Sequence, residues 1–101
     1  MFSFLKKLMG GSDANLSELI KKGAKIIDVR TKSEFQSGHV KGSVNIPLDT
    51  LPSKVNTLRK DDVLVMCCRS GSRSASAVKF LKSSGFTNVH NGGSWFSLKN
   101  I

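Results

Sequence analysis

A chain of 101 residues, 39% hydrophobic and 23% charged, is long enough for one modest core and too short for two. No apolar run approaches the roughly 20 residues that cross a bilayer, so a membrane span is not expected. Sixteen Lys and Arg against seven Asp and Glu leave a net charge of +9, a field that attracts anions, and the scattered charges, the lack of Tyr and the lack of a stacking motif argue against nucleic acid as the anion.

The opening segment, MFSFLKKLMGGS, mixes Phe2, Phe4, Leu5, Leu8 and Met9 with Lys6 and Lys7, and lacks both the continuous apolar core and the small-residue cleavage site of a signal peptide. We read residues 1–12 as a leader with the pattern of a short amphipathic helix, and 13–101 as the domain. DANLSELIKKGA (13–24) carries Leu16, Leu19 and Ile20 on one helical face and is closed by Gly23. KIIDV (25–29) is a short β-rich run, TKSEFQSGH (31–39) a short helix capped by Thr31 or Ser33, and SVNIP (43–47) a second strand ended by Pro47. A helical connection over 48–60, a buried strand over 62–67, a helix over 72–85 and a strand over 87–91 complete the pattern, followed by GGSWFSLKNI. Strands alternating with helices predict an α/β domain: a parallel sheet of about four or five short strands with helices on both faces.

Two adjacent cysteines, Cys67 and Cys68, make no disulfide framework, because a bridge between neighbours is strained and closes no loop. A reducing, cytoplasmic setting is the simpler expectation. In open parallel sheets reacting groups sit beyond the carboxyl ends of the strands, which is where a thiol closing VLVMC stands. The RSGS turn after it is short, contains glycine and runs straight into a helix. Several backbone N–H groups can therefore point inward, backed by the helix N-terminus, and with Arg69 and Arg73 nearby a thiolate is favoured over a thiol.

Two registers compete for this loop. Counting from Cys67, five residues precede Arg73 and Ser74 follows, which imitates the loop of cysteine-dependent phosphatases and arsenate reductases. Those loops commonly carry His before the cysteine and Gly three places after it, whereas Met66 precedes Cys67 and Ser70 lies three after it. Gly71 lies three after Cys68, which favours Cys68 and a narrower loop.

CRSGSRS (68–74) resembles the active-site loop of the rhodanese-like family, the thiosulfate:cyanide sulfurtransferases of single-domain type. IIDVRTKSEFQSGHVKGSVNIPLDTL (26–51) is similar to the family's first signature, and the likeness continues through GFTNVHNGGSW (85–95). The resemblance implies the rhodanese-like fold and a catalytic Cys68 that takes the outer sulfur of thiosulfate as a persulfide and passes it to cyanide, a thiol or a protein acceptor. It implies a substrate-binding loop of Arg69, Ser70, Gly71, Ser72, Arg73 and Ser74, with backbone amides holding the terminal sulfur. It also implies supporting positions at Asp28, close to the loop, and at Arg30, in an ion pair with Glu34. No metal and no organic cofactor are expected, because the sulfur atom is itself the carried group. A rhodanese-like module that only binds a partner is the non-enzymatic alternative, made less apt by the presence of Cys68.

Some features have plainer readings. Cys67, one residue back on the strand, should point away from Cys68 and serve as a small core residue rather than a resolving thiol. His39 is expected to hydrogen-bond loop backbone, since a thiolate already formed needs no base. Trp95 reads as a core or rim anchor. It follows Gly92-Gly93 by two positions, a shorter spacing than the family often has, and Cys67 stands where a bulky aromatic is expected.

Overall fold

The computed structural model of the chain describes the backbone of residues 12–101 and the side chains from Leu16 onward. The leader therefore lies, except for Ser12, outside the described residues. The elements in chain order are α1 (Ser12–Lys21), β1 (Lys25–Asp28), α2 (Lys32–Gln36), β2 (Val44–Asn45), a connection made of a 3₁₀ turn (Leu48–Thr50), α3 (Leu51–Lys54) and another 3₁₀ turn (Val55–Thr57), then β3 (Leu64–Cys68), α4 (Ser72–Ser83), β4 (Val89–Ser94) and α5 (Trp95–Leu98). The four strands form one parallel sheet in the order β2-β1-β3-β4. No described helix is long and apolar enough to cross a membrane.

β3 explains itself: LVMCC is buried at every position, as a central parallel strand covered on both faces must be. Side-chain alternation sends its residues to two cores. Leu64, Met66 and Cys68 join Ile27, Val29, Leu51, Ala77, Leu81, Phe86 and Val89 under α4 and the 48–57 connection. Val65 and Cys67 join Leu16, Ile26, Val40 and Leu98 on the other face, under α1 and α5. Leu51, Leu64 and Leu81 have no exposed surface, and burying each contributes about 1.5–3 kcal/mol.

Local chemistry sets the short elements. Thr31 caps α2 in a capping box, its hydroxyl accepting the Glu34 amide while the Glu34 carboxylate accepts the Thr31 amide, so Thr31 rather than Ser33 is the cap. The connection expected as one helix over 48–60 breaks into turns, with Pro52 in the first turn of α3, where its missing N–H costs little.

β4 departs most from expectation. A strand over 87–91 with the glycines outside it was predicted, yet Gly92 and Gly93 are inside β4, which reaches Ser94. Met66 pairs with Asn91 and Cys67 with Gly93, so Gly92 is the extra residue of a bulge. A Cβ on Gly92 would sit 2.7 Å from Val65 Cγ1 and 3.1 Å from the Met66 carbonyl oxygen. Of two glycines that look like a terminator, Gly92 lets β4 lie close against β3 and Gly93 takes the positive φ of +76 that follows the bulge.

Candidate active site

Cys68 is the last residue of β3, and the chain turns at once into α4. The turn is possible because Gly71, the residue before α4, adopts φ +102, a conformation costly for any residue with a Cβ. That geometry aims the Gly71 amide at Cys68 Sγ, 3.0 Å away; the Ser74 amide donates to the same sulfur at 3.4 Å, and Ser74 Oγ lies 3.5 Å from it. Burial works to raise the Cys68 pKa, but the Ser74 hydroxyl and the amides of Ser74, Gly71 and Ser70 outweigh it, and the thiol is held below its ordinary value.

Cys67 has the opposite setting. It packs in the other core, and burial, reinforced by the neighbouring Asp28 charge, pushes its thiol up to about 12. Of the two thiols, only Cys68 is held below its ordinary value.

The other residues expected at the site divide into those at the loop and those elsewhere. Arg69 and Ser70 are exposed beside Cys68, and Ser72 is exposed at the start of α4. Arg73 is half-buried, and its two terminal nitrogens grip Glu34 at 2.8 and 3.0 Å. Glu34 is held down to about 2, chiefly by that Arg73 bond and then by the Thr31 amide. The expected Arg30–Glu34 ion pair is thus replaced. Arg30 is buried against Asp28, at 2.9 Å from Nε to Oδ1 and 2.7 Å from a terminal nitrogen to Oδ2, because a carboxylate two residues back, at the end of β1, offers both oxygens to the guanidinium fork.

Arg30 also donates to the carbonyls of Glu34 and Gly38 and lies 4.4 Å from the Trp95 ring centroid. Asp28 and Arg30 therefore brace the Cys67 face of the sheet, and among the described contacts neither hydrogen-bonds the Cys68 loop. His39 stacks on Phe35 and bonds its carbonyl at 2.8 Å, a backbone bond at the end of α2 and not at the loop. Trp95 anchors the start of α5 against Gly38 and Arg30 despite its short spacing from the glycines.

Asn91, on β4, was missed by the sequence reading. Its Nδ2 donates to the Gly71 carbonyl at 3.1 Å and its Oδ1 lies 2.6 Å from Ser74 Oγ, so it ties the middle of the loop to its last residue. A polar residue two places after buried Val89, on the same side of a strand, was the available signal.

The loop opens at the carboxyl edge of the sheet. A cleft of about 330 Å³ there is lined by Val29, Thr31, Pro47, Leu48, Asp49 and Arg73. Cys68 does not line this cleft, and a larger hollow of about 530 Å³ beside β2, lined by residues such as Ile20, Lys41 and Val44, also holds no cysteine, so the amide geometry at Cys68, not volume, marks the candidate site.

The sequence profile of the rhodanese-like domain matches residues 12–98. The chain belongs to the rhodanese-like family. Thiosulfate sulfurtransferase PspE of Escherichia coli is 36% identical over 69 residues, 66% of this chain and 66% of that protein. The Bacillus subtilis protein YqhL is 38% identical over 68 residues, 67% of this chain, and the chain spans only about half of its length, 54%. The crystal structure of a rhodanese-related protein from Thermoplasma volcanium superposes with a TM-score of 0.74 at 33% identity, covering 87% of this chain and 86% of that one.

Proposed function

We propose that this rhodanese-like domain, comprising residues 13–101, is a sulfurtransferase that carries a sulfane sulfur on Cys68. The observation that carries this reading is the convergence of the Gly71 and Ser74 amides on Cys68 Sγ. The Cys68 thiolate attacks the outer sulfur of thiosulfate; the S–S bond to the sulfonate breaks and sulfite leaves with its electron pair, while a persulfide forms on Cys68. An acceptor nucleophile, cyanide or a thiol, then attacks the terminal sulfur, and Cys68 departs as thiolate. The charge sits on Sγ in the thiolate and on the terminal sulfur in the persulfide, and the inward-turned amides of the loop are preorganised donors for an anion at either position.

Arg69, exposed beside the thiol, attracts the dianionic donor. Arg73 is committed to Glu34 and shapes the cleft wall, leaving its remaining field to the anion. The cleft between Leu48, Asp49 and Arg73 supplies room for the acceptor. Free thiols suit a reducing compartment, and we place the protein in the cytoplasm.

Steady-state transfer from thiosulfate to cyanide tests this reading. Parallel double-reciprocal lines in wild type and loss of turnover in Cys68→Ser are expected. Turnover of an aryl phosphate, lost in Cys67→Ser and retained in Cys68→Ser, would overturn it in favour of the phosphatase register.

A further inference from the structure

Asn91 is used by three hydrogen bonds that the sulfur-transfer steps do not explain. Its Oδ1 accepts the Gly93 amide at 2.9 Å and lies 2.6 Å from Ser74 Oγ, while its Nδ2 donates to the Gly71 carbonyl at 3.1 Å. The bulge at Gly92 brings these groups together: Asn91 pairs with Met66, the next residue is skipped, and Gly93 folds its amide back onto the Asn91 side chain.

The carboxamide is oriented from both sides, because the Gly93 N–H requires an oxygen and the Gly71 carbonyl requires a donor. A carboxamide oxygen cannot donate, so the single proton of the Ser74 hydroxyl points to Asn91. What Ser74 then presents to Cys68 Sγ, 3.5 Å away, is a lone pair, the arrangement that suits a protonated thiol. A thiolate needs the reverse. On deprotonation the S–H proton leaves to solvent, the Ser74 O–H turns to sulfur, and Asn91 Oδ1 keeps the Gly93 amide alone. The Gly71 and Ser74 amides are fixed by the backbone; the hydroxyl is the donor that rotates.

We propose that Asn91 is a positioning residue for the Cys68 loop, competing with the sulfur anion for the Ser74 proton and so setting how firmly that hydroxyl holds the sulfur in each charge state. This rests on Cys68 being the sulfur-carrying thiol. The charged and titratable groups around the sulfur are Arg73 on α4 with its partner Glu34 on α2, the Asp28–Arg30 pair on β1 and after it, and Arg69 and Cys67 on either side of Cys68 in the chain. His90, next to Asn91 on β4, bonds Asn88 instead. None of these is altered by changing Asn91 or Ser74.

The test is a double-mutant cycle read on the Cys68 thiol itself: the pH dependence of iodoacetamide alkylation, with the modified cysteine located by peptide mass, in wild type, Ser74→Ala, Asn91→Ala and the double variant. With Asn91 in place the Ser74 proton is shared; without it the thiolate has that proton alone. Ser74→Ala should therefore lower the thiolate fraction below the pKa about threefold to tenfold more in the Asn91→Ala background than in the wild-type background. Equal effects in the two backgrounds would overturn the proposal and leave Asn91 as a loop tether only.

Should circular dichroism find Asn91→Ala unfolded, Asn91→Asp takes its place in the cycle. Its carboxylate is a stronger acceptor, so Ser74→Ala should then matter less than in wild type, and an undiminished effect would overturn the proposal. Alkylation needs no sulfur donor, so the cycle reads out whether or not thiosulfate is the substrate, and a failure of sulfur transfer is seen separately.

Discussion

Cys67 and Cys68 are joined by one peptide bond and belong to different cores of the protein, the first packed with Val65 and Leu98, the second with Met66 and Ala77. Only the second reaches the amides of the turn. Their chemistry should separate accordingly. Cys67→Ala is expected to retain sulfur transfer within about twofold and to lose about 1 kcal/mol of stability from the small void it leaves, as measured by the transfer assay and urea unfolding.

The Glu34–Arg73 bridge makes a pH-dependent contribution. Glu34 is ionised in the folded protein down to about 2, whereas its ordinary value is 4.5. A depressed carboxyl stabilises the fold above the unfolded value, and that contribution fades as pH falls from 4.5 towards 2. Both side chains are about a third exposed, at 35% and 32%, so solvent screening limits the effect to about 0.5–1 kcal/mol. Unfolding free energies from urea titrations of wild type and Glu34→Gln should differ by that amount at pH 7 and converge below about pH 2.

Gly92 is intolerant of a side chain for a reason the fold makes specific. A methyl group there meets Val65 Cγ1 in the core and a backbone carbonyl behind it. Gly92→Ala should cost about 1–3 kcal/mol by urea unfolding, and sulfur transfer should fall as well, because the bulge that presents Asn91 to the loop is disturbed.

Much of this was legible in the chain. Gly71 and the helix that follows it announced a turn with amides aimed inward at Cys68, and the alternation of β-rich and helical runs announced the parallel sheet. Long-range partners were harder to read. Asn91 lies seventeen residues from Ser74, and its role becomes visible only once β4 is known to pair with β3. The Glu34 carboxylate could have met Arg30, four residues before it, and instead meets Arg73, because Asp28 already occupies Arg30. The glycine pair misled for a physical reason: glycine ends strands, and it also permits the bulge through which a strand continues.

Arg69 offers a test of substrate attraction. It is exposed and sits beside the thiol. Arg69→Ala is expected to raise KM for thiosulfate about threefold to tenfold with kcat changed less than about twofold, and added salt should narrow the difference by screening. A fall in kcat with unchanged KM would instead assign Arg69 to the transition state.

The most direct measurement of the central claim is intact-protein mass after incubation with thiosulfate, in wild type, Cys67→Ser and Cys68→Ser. A gain of one sulfur atom, about 32 Da, in the first two and none in Cys68→Ser is predicted, the covalent half of a two-step exchange. A gain that survives in Cys68→Ser and disappears in Cys67→Ser would contradict the assignment of Cys68 as the carrier.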